Sequence, residues 1–75
     1  MTPQQIEDRL KSKIANSKVQ AIDTTGTLNH FQIQISAPIF KEMMLIKQHR
    51  LVMSLFQPEL ESGEIHALEL KIGNF

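Results

Sequence analysis

Three histidines are the side chains best suited to chemistry in this chain: His30, His49 and His66. A neutral imidazole nitrogen binds iron, zinc or copper, and two of these rings, His49 and His66, interrupt stretches that packing alone would fill with aliphatics. His30 stands directly ahead of Phe31, His66 follows Ile65 and precedes Ala67-Leu68, and His49 lies between Gln48 and Arg50. Lys47 and Arg50 are three positions apart, so a helix puts them on one face, where they suit phosphates or an acidic partner. The plainer reading of that face is a solvated surface. Covalent catalysis has no support. There is no cysteine, and Ser12, Ser17, Ser36, Ser54 and Ser62 lack a glycine-rich elbow. Glu59, Glu61 and Glu64 read as a solvated loop, and neither a P-loop nor a dinucleotide fingerprint is present. The chain is not expected to be an enzyme.

The elements that must position these residues follow from the hydrophobic pattern. Thr2, Pro3 and Gln5 make a capping-box start. Ile6, Leu10 and Ile14 recur every fourth residue and predict an amphipathic helix to about Asn16. Residues 19 to 23 predict a short strand, and residues 24 to 29, with Gly26 near the centre, a turn. Residues 30 to 36 alternate, with Phe31, Ile33 and Ile35 on one face and His30, Gln32 and Gln34 on the other. After Ser36-Ala37-Pro38 a single helix is expected from about residue 41 to residue 56, offering Met44, Leu45, Leu51, Val52, Leu55 and Phe56 to the core. Pro58 follows it, Ser62-Gly63 is a second turn, and residues 64 to 72 predict the last strand.

The order αββαβ makes this an α+β fold. A short turn joins the first two strands, which should pair antiparallel. The second and third flank a helix, and such a crossover returns parallel and right-handed. The result is a three-stranded mixed sheet with two helices packed on one face, a class II KH-like topology. KH domains clamp RNA with a Gly-X-X-Gly loop, which Gly26, Gly63 and Gly73 do not provide.

Seventy-five residues are expected to form one domain, residues 1–75. With 41% hydrophobic residues, no tryptophan or tyrosine and four phenylalanines, the core must be largely aliphatic and the fold marginally stable. Zero formal net charge argues against strong non-specific binding to nucleic acid. The lack of cysteine fits a reducing compartment, and no apolar run resembles a signal peptide or membrane span. A cytoplasmic location without membrane association is expected.

Parallel neighbouring strands begin at the same end of a sheet, so the topology draws His30 and His66 to one edge. Strict alternation complicates this. It groups His66 with Leu68, Leu70 and Ile72 but His30 with Gln32 and Gln34, so two regular strands would point the rings to opposite sides. The residues leave two readings open: a pair of metal ligands, or a partly buried His66 bonded to backbone beside an ordinary exposed His30.

Taken together, Asn29-His30-Phe31, Phe40, the segment Lys47-Gln48-His49-Arg50-Leu51-Val52 and the segment Ile65-His66-Ala67-Leu68-Glu69-Leu70 resemble the BolA family over roughly residues 19 to 72. These are small proteins that partner monothiol glutaredoxins in iron–sulfur handling. The resemblance implies the same αββαβ core and an adaptor that shares a [2Fe–2S] cluster with a monothiol glutaredoxin, in cluster trafficking or iron regulation. His66 matches the histidine of the family's terminal His-Ala-Leu strand, a cluster ligand. Many relatives carry a Cys or His inside the loop before the second strand. Residues 24 to 29 contain neither, which leaves His30 as the candidate second ligand, similar to the shorter IbaG-type members. A [2Fe–2S] cluster takes four ligands, so two histidines hold none alone. The other two are expected from a glutaredoxin cysteine and glutathione, and the apo chain is expected to be a monomer.

Some relatives have been assigned DNA binding. The alternative is therefore a DNA-binding stress-response transcriptional regulator using Lys47, His49 and Arg50, with weak binding given the neutral charge. The chain departs from the family pattern at Gln48, where relatives often carry Arg, and at Glu42, where a Gly usually stands. It also lacks the C-terminal Thr-Pro…Trp segment of many relatives.

Overall fold

Thr2 and Gln5 cap the first helix reciprocally. The Thr2 hydroxyl accepts the Gln5 N–H at 3.2 Å, and the Gln5 side chain accepts the Thr2 N–H at 2.9 Å. With Pro3 in the first turn, where no N–H is missed, α1 runs Pro3–Lys13 in the computed structural model, which describes residues 1 to 73. Residues 74 and 75 of the expected domain lie outside the described ones. Asn16, at a φ of 57°, turns the chain out of the helix, and β1 (Lys18–Asp23) follows.

β1 pairs antiparallel with β2 (His30–Ser36), and β2 pairs parallel with β3 (Ala67–Ile72), giving the sheet order β1-β2-β3. The register sets Val19 against Ile35, Ala21 against Ile33, Phe31 against Leu68 and Ile33 against Leu70. One face is therefore apolar. Phe31, Ile33 and Ile35 are buried there against Ile6 and Leu10 of α1 and Val52 and Phe56 of the second helical region, with Ile65 closing the cluster. The other face carries Gln20, His30, Gln32, Gln34, Glu69 and Lys71.

The helical region after β2 departs from the expected single helix. Pro38–Glu42 is a 3-10 turn, Met43 and Met44 are extended, and α2 runs Leu45–Ser54. A buried glutamine stabilises the break: Gln48 Nε2 donates to the Phe40 carbonyl at 2.7 Å and to the Met43 carbonyl at 2.9 Å. The Phe40 carbonyl also accepts the Met43 N–H at 3.2 Å, so Gln48 fills its second acceptor site and supplies a partner to the Met43 carbonyl. The late start rotates the inward stripe onto Gln48, Val52 and Phe56. Met44 and Leu45, expected in the core, are 68% and 78% exposed.

A third helix, α3 (Gln57–Ser62), was not anticipated. Pro58 sits in its first turn, so it starts a helix instead of only ending one. Gly63, at a φ of 84°, terminates it in the left-handed conformation that glycine tolerates. β3 is correspondingly shorter than the expected 64 to 72.

Arg9 clasps α1 to this region. Its guanidinium makes two hydrogen bonds to the Glu59 carboxylate, at 2.6 and 2.9 Å, donates to the Leu55 carbonyl at 2.9 Å and lies 5.1 Å from the Phe56 ring centre. Hydrogen bonding from Arg9 holds the Glu59 carboxyl below its ordinary value of 4.5. A depressed folded-state value stabilises the fold above the unfolded value and is lost as pH falls through the folded one. Glu59→Gln should cost on the order of 1–2 kcal/mol at neutral pH. Its deficit against the wild type should shrink as pH falls below the ordinary carboxylate value and vanish once pH is below the depressed folded one, and a deficit that persists undiminished in acid would remove the charge from the account. Ile33→Ala, at a fully buried site, should cost about 2–5 kcal/mol. Leu68→Ala should cost less in the same urea titrations, because Leu68 is only partly buried.

Candidate metal-ligating site

His30 and His66 meet. Their ring centres lie 5.5 Å apart with the planes 76° to one another. The alternation that would have separated them fails just before β3. Ile65 is 1% exposed in the core, whereas His66 and Ala67 both point outward. The backbone explains this. The N–H groups of His66 and Ala67 share one acceptor, the Asn29 carbonyl, at 2.7 and 3.3 Å. Two consecutive residues bonded to one carbonyl leave the strand irregular at its first residues, which brings the His66 ring beside His30.

Asn29 also controls the second ring. Its side-chain oxygen lies 2.7 Å from His30 Nδ1. An amide oxygen can only accept, so Nδ1 carries the proton and Nε2 keeps its lone pair for a ligand. The same oxygen accepts from the Thr27 hydroxyl, which in turn bonds the Thr25 hydroxyl. Asp23 holds the loop from below. One carboxylate oxygen accepts from the N–H groups of Thr25 and Gly26, at 3.3 and 3.0 Å, and the other from Leu28 at 3.2 Å. Gly26 and Leu28 take positive φ values of 78° and 60° in that loop. Asn29 is thus the residue through which both histidines are placed.

Two imidazoles bound to one tetrahedral ion at about 2.0–2.1 Å have ring centres about 5 Å apart, so the spacing suits a shared metal. Among the described residues no group of three or more His, Cys, Asp or Glu could enclose a metal ion. The donor set is half a site. Lys47, His49 and Arg50 are exposed on α2, and none joins an ion pair among the described residues. Lys47 and Arg50 are neighbours, but His49 lies about 200° around the helix from Lys47, so the three do not form one patch. Gln48 is buried and bonded to backbone, which removes it from any surface.

Long-range ¹H–¹⁵N NMR should report a single dominant Nδ1–H tautomer for His30. Asn29→Ala should abolish that preference while the amide spectrum stays dispersed. An unchanged tautomer in this variant would mean that Asn29 does not set it.

The comparisons with known proteins agree with this architecture. The family model described as BolA-like protein matches residues 2–73. Protein BOLA2 of Arabidopsis thaliana is 31% identical over 72 residues, which cover 95% of this chain and 75% of that protein. Among solved structures, BolA1 from Arabidopsis thaliana superposes with a TM-score of 0.81 at 27% identity, covering 93% of this chain and 87% of that one. The BolA domain of SufE1 from the same plant gives 0.79 at 28% identity, with the same two coverages. No helix among the described residues is long and apolar enough to cross a membrane. In sequence and in fold, the chain belongs to the BolA family.

Proposed function

We propose that this chain is a non-enzymatic adaptor that binds a monothiol glutaredoxin and lends His66 and His30 to a shared [2Fe–2S] cluster, in iron–sulfur trafficking or iron regulation. The observation that carries the reading is the pair of imidazoles 5.5 Å apart, with the Nε2 of His30 left free by Asn29. Two imidazoles supply half of the four ligands a cluster needs. The chain has no cysteine, so the thiolates come from outside it, from a glutaredoxin cysteine and glutathione. The cluster is cargo held between partners. His66 is the more accessible ring and His30 the one whose nitrogen is oriented by its neighbour, which suits an arriving ligand set on the His66 side.

The test is to co-express the chain with a monothiol glutaredoxin and record visible absorption and circular dichroism of the purified complex. His66→Ala should abolish the spectrum specific to the heterocomplex while the apo domain stays folded, and His30→Ala should have an equal or smaller effect. Spectra unchanged in both variants would remove the proposal.

A second reading, a DNA-binding regulator, rests on Lys47 and Arg50, which share an exposed face of α2 with no acidic partner among the described residues. It predicts that log K falls linearly with log salt at a slope near −0.9 for each phosphate contacted. Two cations give a slope of about −2 at most, and Lys47→Ala and Arg50→Ala should each reduce it by about one. Binding that survives both substitutions would exclude this face.

A further inference from the structure

The two edges of the sheet are treated differently. On the β1 edge, Glu7 of α1 reaches across to accept the outward N–H of Ala21 at 3.1 Å. On the β3 edge no described residue does the same. The N–H groups of Ala67 and Gly73 both point into the sheet, to Asn29 and Ile35. The odd-numbered residues of β3 therefore face β2, and the amides and carbonyls of Leu68, Leu70 and Ile72 face outward. An edge like this is a ready template for another strand.

The side chains select which strand. We infer that β3 pairs antiparallel with β3 of a second copy about a two-fold axis at Leu70. In that register Leu70 opposes its own symmetry mate and Leu68 opposes Ile72, so all three outward residues form hydrogen-bonded pairs. Glu69 then stands opposite Lys71 in the non-hydrogen-bonded positions, where side chains approach most closely. The axis repeats the pair, giving two cross-strand ion pairs on the polar face and a row of partly buried aliphatics on the other. A shift of the axis to residue 68 sets Glu69 against Ala67, and a shift to 72 sets Lys71 against Gly73. Both lose the ion pairs. A parallel in-register stack would oppose like charges, so the same two residues favour one closed dimer and disfavour open-ended stacking.

The axis lies four residues from each His66. Eight residue steps of about 3.3 Å separate the two histidines by roughly 26 Å, so each His30–His66 pair stays independent of the other. One six-residue strand is a small interface, below the size of stable complexes, and the association is concentration-dependent, with a monomer in dilute solution.

Sedimentation equilibrium of the apo chain from micromolar to millimolar concentration tests this. The wild type should dimerise within that range. Glu69→Lys and Lys71→Glu should each weaken association at least tenfold, and the double reversal Glu69→Lys/Lys71→Glu should restore it to within about threefold. Because the chain has no cysteine, oxidation of a mixture of the Glu69→Cys and Lys71→Cys variants should give a disulfide-linked dimer that neither variant forms alone. A wild type that stays monomeric at millimolar concentration, or a dimer indifferent to the single reversals, would overturn the inference.

Discussion

The parallel pairing of β2 with β3 is the constraint on which the rest of the molecule depends. Two parallel neighbours start at the same end of a sheet, so the residues that precede each strand are brought together by topology before any side chain is considered. His30↔Ala67 is the first pair of that register, and it places the Asn29 carbonyl opposite the approach to β3. The price of a parallel pair is a long crossover, here built from the 3-10 turn, α2 and α3. Those elements in turn supply Val52 and Phe56 to the core and Glu59 to Arg9. The site and the packing are two results of one connection.

Polar groups do more of the positioning than the aliphatic core does. Ile33 or Leu10 can be satisfied by any neighbour of suitable shape, but Gln48, Asp23 and Asn29 each demand particular partners at particular distances. Gln48 holds the break that starts α2 at Leu45, Asp23 folds the loop, and Asn29 orients the His30 ring and places the backbone of His66. Gln48 and Asp23 act locally on backbone groups, whereas Asn29 acts both on the neighbouring His30 ring and across the sheet on the backbone of His66 and Ala67. This explains why a small sheet of modest hydrophobic content can still present two side chains in a defined arrangement.

Much of this is legible in the sequence because periodicity is. The capping box, the spacing of Ile6 and Leu10, and the alternation from His30 to Ser36 fix α1, β2 and the identity of the core face. The crossover rule then fixes the parallel pairing. What alternation cannot show is where it stops. Nothing in the residue types announces that His66 and Ala67 share one carbonyl, so strict periodicity sends His66 to the wrong side. Met44 and Leu45 look like core because they are apolar, and only the Gln48 hydrogen bonds reveal that the helix begins later. Asn29 carries a weak signal, an amide directly before a histidine at a turn, and its role depends on a contact across the sheet that no local pattern encodes.

The distance along the chain between His30 and His66 has a kinetic consequence. α1, β1 and β2 contact one another through short loops, and such contacts form early, whereas pairing that must close a long loop is slow. β3 follows the 3-10 turn, α2 and α3 along the chain, and the Arg9–Glu59 contact closes a still longer loop, 50 residues apart in sequence. Loop-closure entropy thus predicts that the two imidazoles become neighbours late, after the α1–β1–β2 contacts. A ligand that needs both rings can recognise only a chain that has finished folding, and once bound to both it would hold β3 in place against local opening.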